Sequence, residues 1–332
     1  MSKILLEHGT GAGKSAKLIN DIFIKNLGNN ILNQLEDASV FKAPQNMVMS
    51  TDSFTVKPIF FKGGDIGKLA IAGTCNDVAV MGAKPLYLSA AFIIEEGFLI
   101  SDLEKIAISM KEELQKNQAL IITGDTKVVP TGTADGIFIN TTGVGEIVKP
   151  GISASAVKED DVIIVSGTVG DHGSLIFASR EGIDIKSELS SDCASLWPLI
   201  RKLVEEDIEI HSMRDATRGG LSAVLNEWAH QSNIGLYVHE EKIPLSDETR
   251  GICELLGFEP YHLACEGTFI LAVKKEDAEK ALEICKKDEL GKNASVIGRA
   301  INEYNKKVIL ETGMGTKRVF ETPSGLLLPR IC

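Results

Sequence analysis

Several things are scarce in this sequence, and each scarcity excludes a class of protein. No two of its six cysteines (Cys75, Cys193, Cys253, Cys265, Cys285, Cys332) are spaced as Cys-x-x-Cys. A zinc ribbon and a thioredoxin-type redox motif are therefore absent. Long apolar runs are missing too. The stretch Pro85 to Ile94 is typical and stops near ten residues, about half of what a membrane span needs. The start, Met1 to His8, has neither the apolar centre of a signal peptide nor a small-residue cleavage site. The expectation is a soluble, cytoplasmic protein with reduced thiols and no membrane partner. Positive charge is in deficit. Lys+Arg 35 against Asp+Glu 46 leaves a net charge of −11, the wrong sign for gripping nucleic-acid phosphates. There is no short-period repeat and no low-complexity tract.

What is present is material for two cores. A chain of 332 residues, 44% hydrophobic, predicts about two domains and excludes wholesale disorder. The Pro-Gly punctuation of Lys149-Pro150-Gly151 lies near mid-chain and predicts a boundary there. The expected units are 1–150, 151–325 and a tail, 326–332. Periodicity predicts helices over 15–35, 65–81, 101–117, 174–179, 195–206, 220–232 and 276–287. Short apolar runs predict strands over 47–50, 85–94, 120–123, 136–146, 161–167, 268–273 and 296–299. Both halves read as α+β layers.

Three signals bear on chemistry. The run Gly9 to Ser15 ends in Gly13-Lys14-Ser15 like a phosphate-binding P-loop, but that spacing needs glycine where His8 stands. It reads as a helix-entry loop whose N–H groups could close on an anion. Next, Asp37, Asp52, Asp77, Asp125 and Asp215 fall beside the ends of apolar segments. Hard carboxylate oxygens there suit Mg²⁺ on nucleotide phosphates. Singly each is an ordinary turn or cap residue, so the set matters only if the fold gathers it. The third signal is Cys332, the last residue of the sequence. It is not the fourth-from-last cysteine of a prenylation box. Pro329 keeps its approach out of a helix or central strand. Such a thiol is open and can move between two sites. His262 and Cys265 find no matching pair and read as structural. His172 reads first as a turn histidine, then as a site candidate.

Taken together these segments resemble a known family. Thr51-Asp52-Ser53, Gly64 to Ala70, Asn76 to Pro85 and Gly124 to Val129 are similar to the ATP-binding half of the aminoimidazole-ribonucleotide-synthetase-like superfamily. Gly170 to Gly173, Arg214 to Leu221 and Ala264 to Gly267 are similar to its second half. Pro329-Arg330-Ile331-Cys332, with Gly124 to Val129, narrows the resemblance to the carbamoyl dehydratases of hydrogenase maturation. Two places depart from it. The first loop has Ala12 where relatives usually carry glycine, and Leu35 to Ser39 keeps only Asp37 of a usual double aspartate.

The resemblance implies a two-domain α+β fold whose N-terminal sheets pair in a homodimer, with ATP and Mg²⁺ in a cleft. Asp37, Asp77 and Asp215 are implied as metal ligands. Thr51, Asp52, Lys68, Asn76, Asp125 and Thr126 are implied beside the nucleotide. The implied activity is ATP-dependent dehydration of a thiocarboxamide on Cys332 to a thiocyanate, with Glu266 and Lys127 handling the protons of the amide nitrogen. Implied partners are a carbamoyltransferase (HypF), which loads Cys332, and an iron-scaffold complex (HypC–HypD), which accepts cyanide. The alternatives are a non-catalytic carrier of a carbamoyl group and another synthetase of the superfamily, such as selenophosphate synthetase. That family's reactive cysteine or selenocysteine is missing from His8 to Lys14.

Overall fold

In the computed structural model residues 2–9, 13–36, 38–182, 188–322 and 331–332 are described. Asp37, Thr10 to Ala12 of the first glycine-rich loop and Pro329 lie outside them. Helix α1 (Gly13–Leu18) passes through a π-helical segment, Ile19–Ile24, into α2 (Lys25–Leu27). The helix expected to reach residue 35 stops here. Gly28 turns extended, and the Asn29 side chain accepts from the backbone N–H groups of Ile31 and Leu32, offering the chain a turn in place of another helical repeat.

The first half then lays down β1 (Met47–Phe54), β2 (Phe60–Phe61), β3 (Gly64–Asp65), α3 (Ile66–Val80), β4 (Ala83–Glu95), α4 (Ile100–Asn117), β5 (Leu120–Val129) and β6 (Ile137–Ile147). Strands β1, β6, β4 and β5 form a sheet in that order, with only β4 and β5 parallel. Helix α4 is their crossover, as parallel neighbours require. Its predicted stripe, Leu103, Ile106, Ala107, Met110 and Leu114, is buried.

Helix α3 is buried almost all round, because small residues let the backbones close in. Across from it, a Cβ on Gly145 would lie 2.3 Å from Val78. Asp65 caps the helix, accepting from the N–H groups of Gly67 and Lys68. One face of the sheet packs on α3 and α4. On the other, register aligns Met49, Val144 and Tyr87, then Thr51, Thr142 and Ser89, then Ser53, Asn140, Ala91 and Asp125, then Phe138, Ile93 and Lys127. Met49 is 69% exposed and Ile93 43%, so among the described residues this face is largely open, with Phe41 against Tyr87 at 4.9 Å between ring centroids.

The second half comprises β7 (Val162–Val165), α5 (Asp171–Arg180), α6 (Trp197–Val204), β8 (Ile210–Asp215), α7 (Gly220–Gln231), β9 (Gly235–His239), α8 (Asp247–Leu256), β10 (Phe269–Val273), α9 (Ala278–Lys286), β11 (Ser295–Ile301), β12 (Val308–Glu311) and β13 (Lys317–Val319). The sheet order is β13-β12-β9-β11-β7-β10-β8. One core gathers around Trp228, Leu225 and Phe320, a second around Trp197, Leu199, Leu203 and Cys285. The halves are stitched by buried polar groups. Asn76 on α3 donates to the carbonyls of Ala194 and Glu266 and accepts from Leu196 N–H. Ser195 donates to Glu113 and accepts from Asn117, both on α4. Among the described residues no helix is long and apolar enough to cross a membrane.

Candidate active site

A cavity of about 710 Å³ runs along the edge strand β1, between the halves, and Asp52, Asp77, Asp215, Arg218, Glu266 and Cys332 all line it. Three of the five aspartates are thus gathered. Asp52 stands within β1, not beyond its end as the sequence suggests, because the strand continues to Phe54. Asp77 occupies the last turn of α3, and Asp215 ends β8. Ser50 Oγ donates to Asp77 Oδ2 at 2.5 Å.

Packing so much acid out of water raises its proton affinity. Burial first, then the neighbouring Asp77, lifts Asp52 to about 6. Burial and Asp77 lift Asp215 to about 8. Glu266 is held well above the carboxylate range by burial, with Asp215 and Asp192 adding to it, and its Oε1 is buried without a partner. Burial, then Glu266, pushes the Cys332 thiol up to about 11, against the pull of Arg218.

This donor chemistry, hard oxygens plus an orphaned carboxyl oxygen, fits a magnesium–phosphate group. Among the described residues no three acids converge into a ready-made metal cluster. That also suits Mg²⁺, which usually takes one or two carboxylates and completes its shell with phosphate and water.

The loop bearing Glu266 is fixed from below. The Asp192 carboxylate accepts from the N–H groups of Glu266 and Gly267. Gly267 must be glycine, since a Cβ there would sit 1.8 Å from the Asp192 carbonyl oxygen. The Cys332 segment is fixed by its backbone. The Cys332 carbonyl accepts from Thr55 N–H at 2.9 Å and Thr55 Oγ1 at 3.2 Å. The Ile331 carbonyl lies 2.6 Å from His172 Nε2.

Other expected site residues are not brought to this cleft. Strand alternation puts Thr51 on the opposite face from Asp52, where it meets Thr142. Asp125, Thr126 and Lys127 line a second cavity of about 360 Å³, walled by Phe23, Leu27, Phe92 and Ile121. Lys127 is 65% exposed and pairs with Asp125 at 2.9 Å, so within one chain it does not meet Glu266. Lys68 donates to the Gly63 carbonyl and Asn76 spends both amide ends between the halves. Neither lines either cavity. His262 stacks on Phe320, and Cys265 Sγ accepts from Gly170 N–H, in keeping with structural roles.

Four residues went unassigned from sequence: Arg218, Asp192, Thr55 and His172 in its actual role. Arg218 was within reach, as a cation three residues after Asp215 in a glycine-rich loop. The others act through backbone contacts that leave no sequence pattern.

The chain belongs to the class of AIR synthase related proteins. The N-terminal domain of that class matches residues 35–147 and the C-terminal domain residues 158–311. Within that class the chain belongs to the HypE family of hydrogenase maturation proteins. It is 46% identical to the carbamoyl dehydratase HypE of Bradyrhizobium diazoefficiens, over 98% of this chain and 95% of that one. Its fold matches a crystal structure of HypE in complex with ATP (TM-score 0.96, 42% identity, 99% of both chains). It also matches the structure of a HypE–HypF complex (TM-score 0.80, 44% identity, 92% of this chain and 99% of that one).

Proposed function

We propose that this chain is an ATP-dependent carbamoyl dehydratase that carries its substrate on Cys332. The observation that carries this reading is the seat of Cys332 in the acidic cleft beside Glu266 and Arg218. A thiocarboxamide, S–C(=O)–NH₂, cannot readily lose hydroxide. If its carbonyl oxygen attacks the γ-phosphorus of ATP, an O–P bond forms and ADP leaves. The C–O bond then breaks with phosphate as leaving group, the nitrogen sheds two protons, and S–C≡N remains. The sum is thiocarboxamide plus ATP giving thiocyanate, ADP, phosphate and a proton.

Asp77 and Asp215 would hold Mg²⁺, with phosphate and water completing its shell, and it would neutralise phosphate charge when bound; Asp37 is proposed with them and Asp52 beside the nucleotide. Arg218 supplies fixed positive charge where the phosphoryl group would pass. Glu266 is the proton acceptor for the nitrogen. Burial and the neighbouring acids raise its affinity for a proton, and positive charge entering the cleft would lower that affinity. The thiol, pushed up to about 11, is a poor nucleophile in place. Loading therefore belongs outside the cleft, on a carbamoyltransferase such as HypF, with which a relative forms a complex.

Asp125, Thr126, Thr51 and Lys127 join the reaction in this reading only across a second copy, whose open sheet face would bring Lys127 over β1. A homodimer accounts for that open face. The cyanide would pass to a HypC–HypD iron scaffold. The deciding experiment is the mass of the Cys332 peptide after incubation with HypF, carbamoyl phosphate and ATP. One cyano group on Cys332 is expected, and none with Cys332→Ala, which should still bind ATP. Cyanide formation by Cys332→Ala would overturn the reading.

A further inference from the structure

We propose that His172 is the positioning residue that seats the Cys332 segment, donating its Nε2–H to the main-chain carbonyl of Ile331. The inference rests on the reading of Cys332 as carrier and goes beyond it by naming what holds the carrier in place. His172 is fully buried, and each ring nitrogen has one defined neighbour. Nε2 faces the Ile331 carbonyl at 2.6 Å. A carbonyl only accepts, so Nε2 carries the proton. Nδ1 lies 2.7 Å from Ser191 Oγ. That hydroxyl already accepts from Cys193 N–H at 3.0 Å, so its own proton points to Nδ1. The chain Cys193 N–H, Ser191 O–H, His172 N–H, Ile331 C=O therefore runs in one direction and selects one neutral tautomer. Burial pushes the ring down to about 4, which keeps it neutral at ordinary pH. Phe61 closes the ring edge-on at 5.4 Å.

The location is also specific. His172 lies in the first turn of α5, and Gly173 N–H in the same turn donates to the Ala264 carbonyl. That ties the histidine to the loop bearing Glu266. Thr55 grips the next carbonyl, that of Cys332, from the first half. Two successive carbonyls are thus held, one by each half. Because the grip is on backbone, it is indifferent to whether the sulfur bears hydrogen, carbamoyl or cyanide. While the segment is seated, it fixes the reacting group relative to Glu266 whichever group the sulfur bears.

The test measures how fast a bulky maleimide alkylates Cys332 in the full-length protein, peptide by peptide, without ATP or carbamoyl donor. It is therefore independent of whether dehydration occurs, which the cyanation assay of Cys332→Ala decides separately. The other five cysteines are buried and report general loosening. His172→Ala should raise the Cys332 rate about tenfold, the worth of one hydrogen bond, and leave Cys193 and Cys265 unreactive. His172→Gln, whose amide N–H can reach the same carbonyl, should restore protection to within about threefold of the parent. A Cys332 rate unchanged in His172→Ala, or as fast in His172→Gln as in His172→Ala, overturns the proposal. So does a rise shared by Cys193 and Cys265. Should His172→Ala not fold, His172→Phe fills the same space with a ring that cannot donate to the carbonyl. A severalfold rise there supports the latch, and the parental rate overturns it.

Discussion

Glu266 is a buried carboxyl with one oxygen unpartnered and acid on several sides. Replacing it by glutamine keeps the shape and removes the proton acceptor. Glu266→Gln should lower the rate of cyanide formation by about 10²-fold or more and leave a carbamoylated or phosphorylated Cys332, visible by mass. Unchanged cyanation would remove it from the mechanism. His172 gives a prediction of stability with pH. Its folded pKa of about 4 lies below the ordinary histidine value of 6.5. Between those values the unfolded chain binds the extra proton, so this group's contribution falls as pH drops from about 6.5 to 4. Raised carboxyls such as Asp192 work in the opposite direction, so the comparison must be between variants. The stability advantage of the parent over His172→Gln should shrink by up to roughly 3 kcal/mol on acidification through that window, measured by urea unfolding at each pH.

At the scale of elements, α3 carries Asp77 into the cleft and Asn76 into the seam between the halves. Its closeness to the sheet depends on β6. Gly145→Ala would drive a methyl group into Val78 and to 2.5 Å from the Lys84 carbonyl. A loss of about 1–3 kcal/mol is expected from such overpacking, together with weaker nucleotide binding as Asp77 shifts. Asp65→Ala removes the α3 cap and its contact with Ser109, and should cost about 1 kcal/mol. Both are read by denaturant midpoints. Helix α4 was legible from its apolar spacing because its amphipathic stripe packs as drawn. The break after Leu27 was less so, since it turns on Asn29 outbidding the helix for two N–H groups. The expected strand over 47–50 was too short for a similar reason. Asp52 is a weak strand former that pairing with β6 recruits anyway, together with Ser53.

For the whole molecule, the two cavities lie on different parts of the first sheet, and Lys127 and Glu266 do not meet in one chain. The proposed homodimer would join them through the open face. Met49→Glu places a charge on that face at its edge strand β1 and should convert dimer to monomer in sedimentation, with cyanide formation lost while each chain stays folded. A dimer that survives the substitution would place the interface elsewhere.

The sequence by itself determined a great deal here. Residue types and local spacing marked the α+β layers, the acidic cleft candidates and the odd position of Cys332, because apolar periodicity and motif chemistry are local properties. Only the tertiary structure decided which aspartates share a cleft, that Thr51 and Asp52 part company across the sheet, and that Lys68 and Asn76 stand outside the lining of the cleft. It alone brought Arg218 and His172 to Cys332. Those outcomes depend on strand register and on backbone carbonyls from distant segments, and a carbonyl looks the same at every position of a sequence.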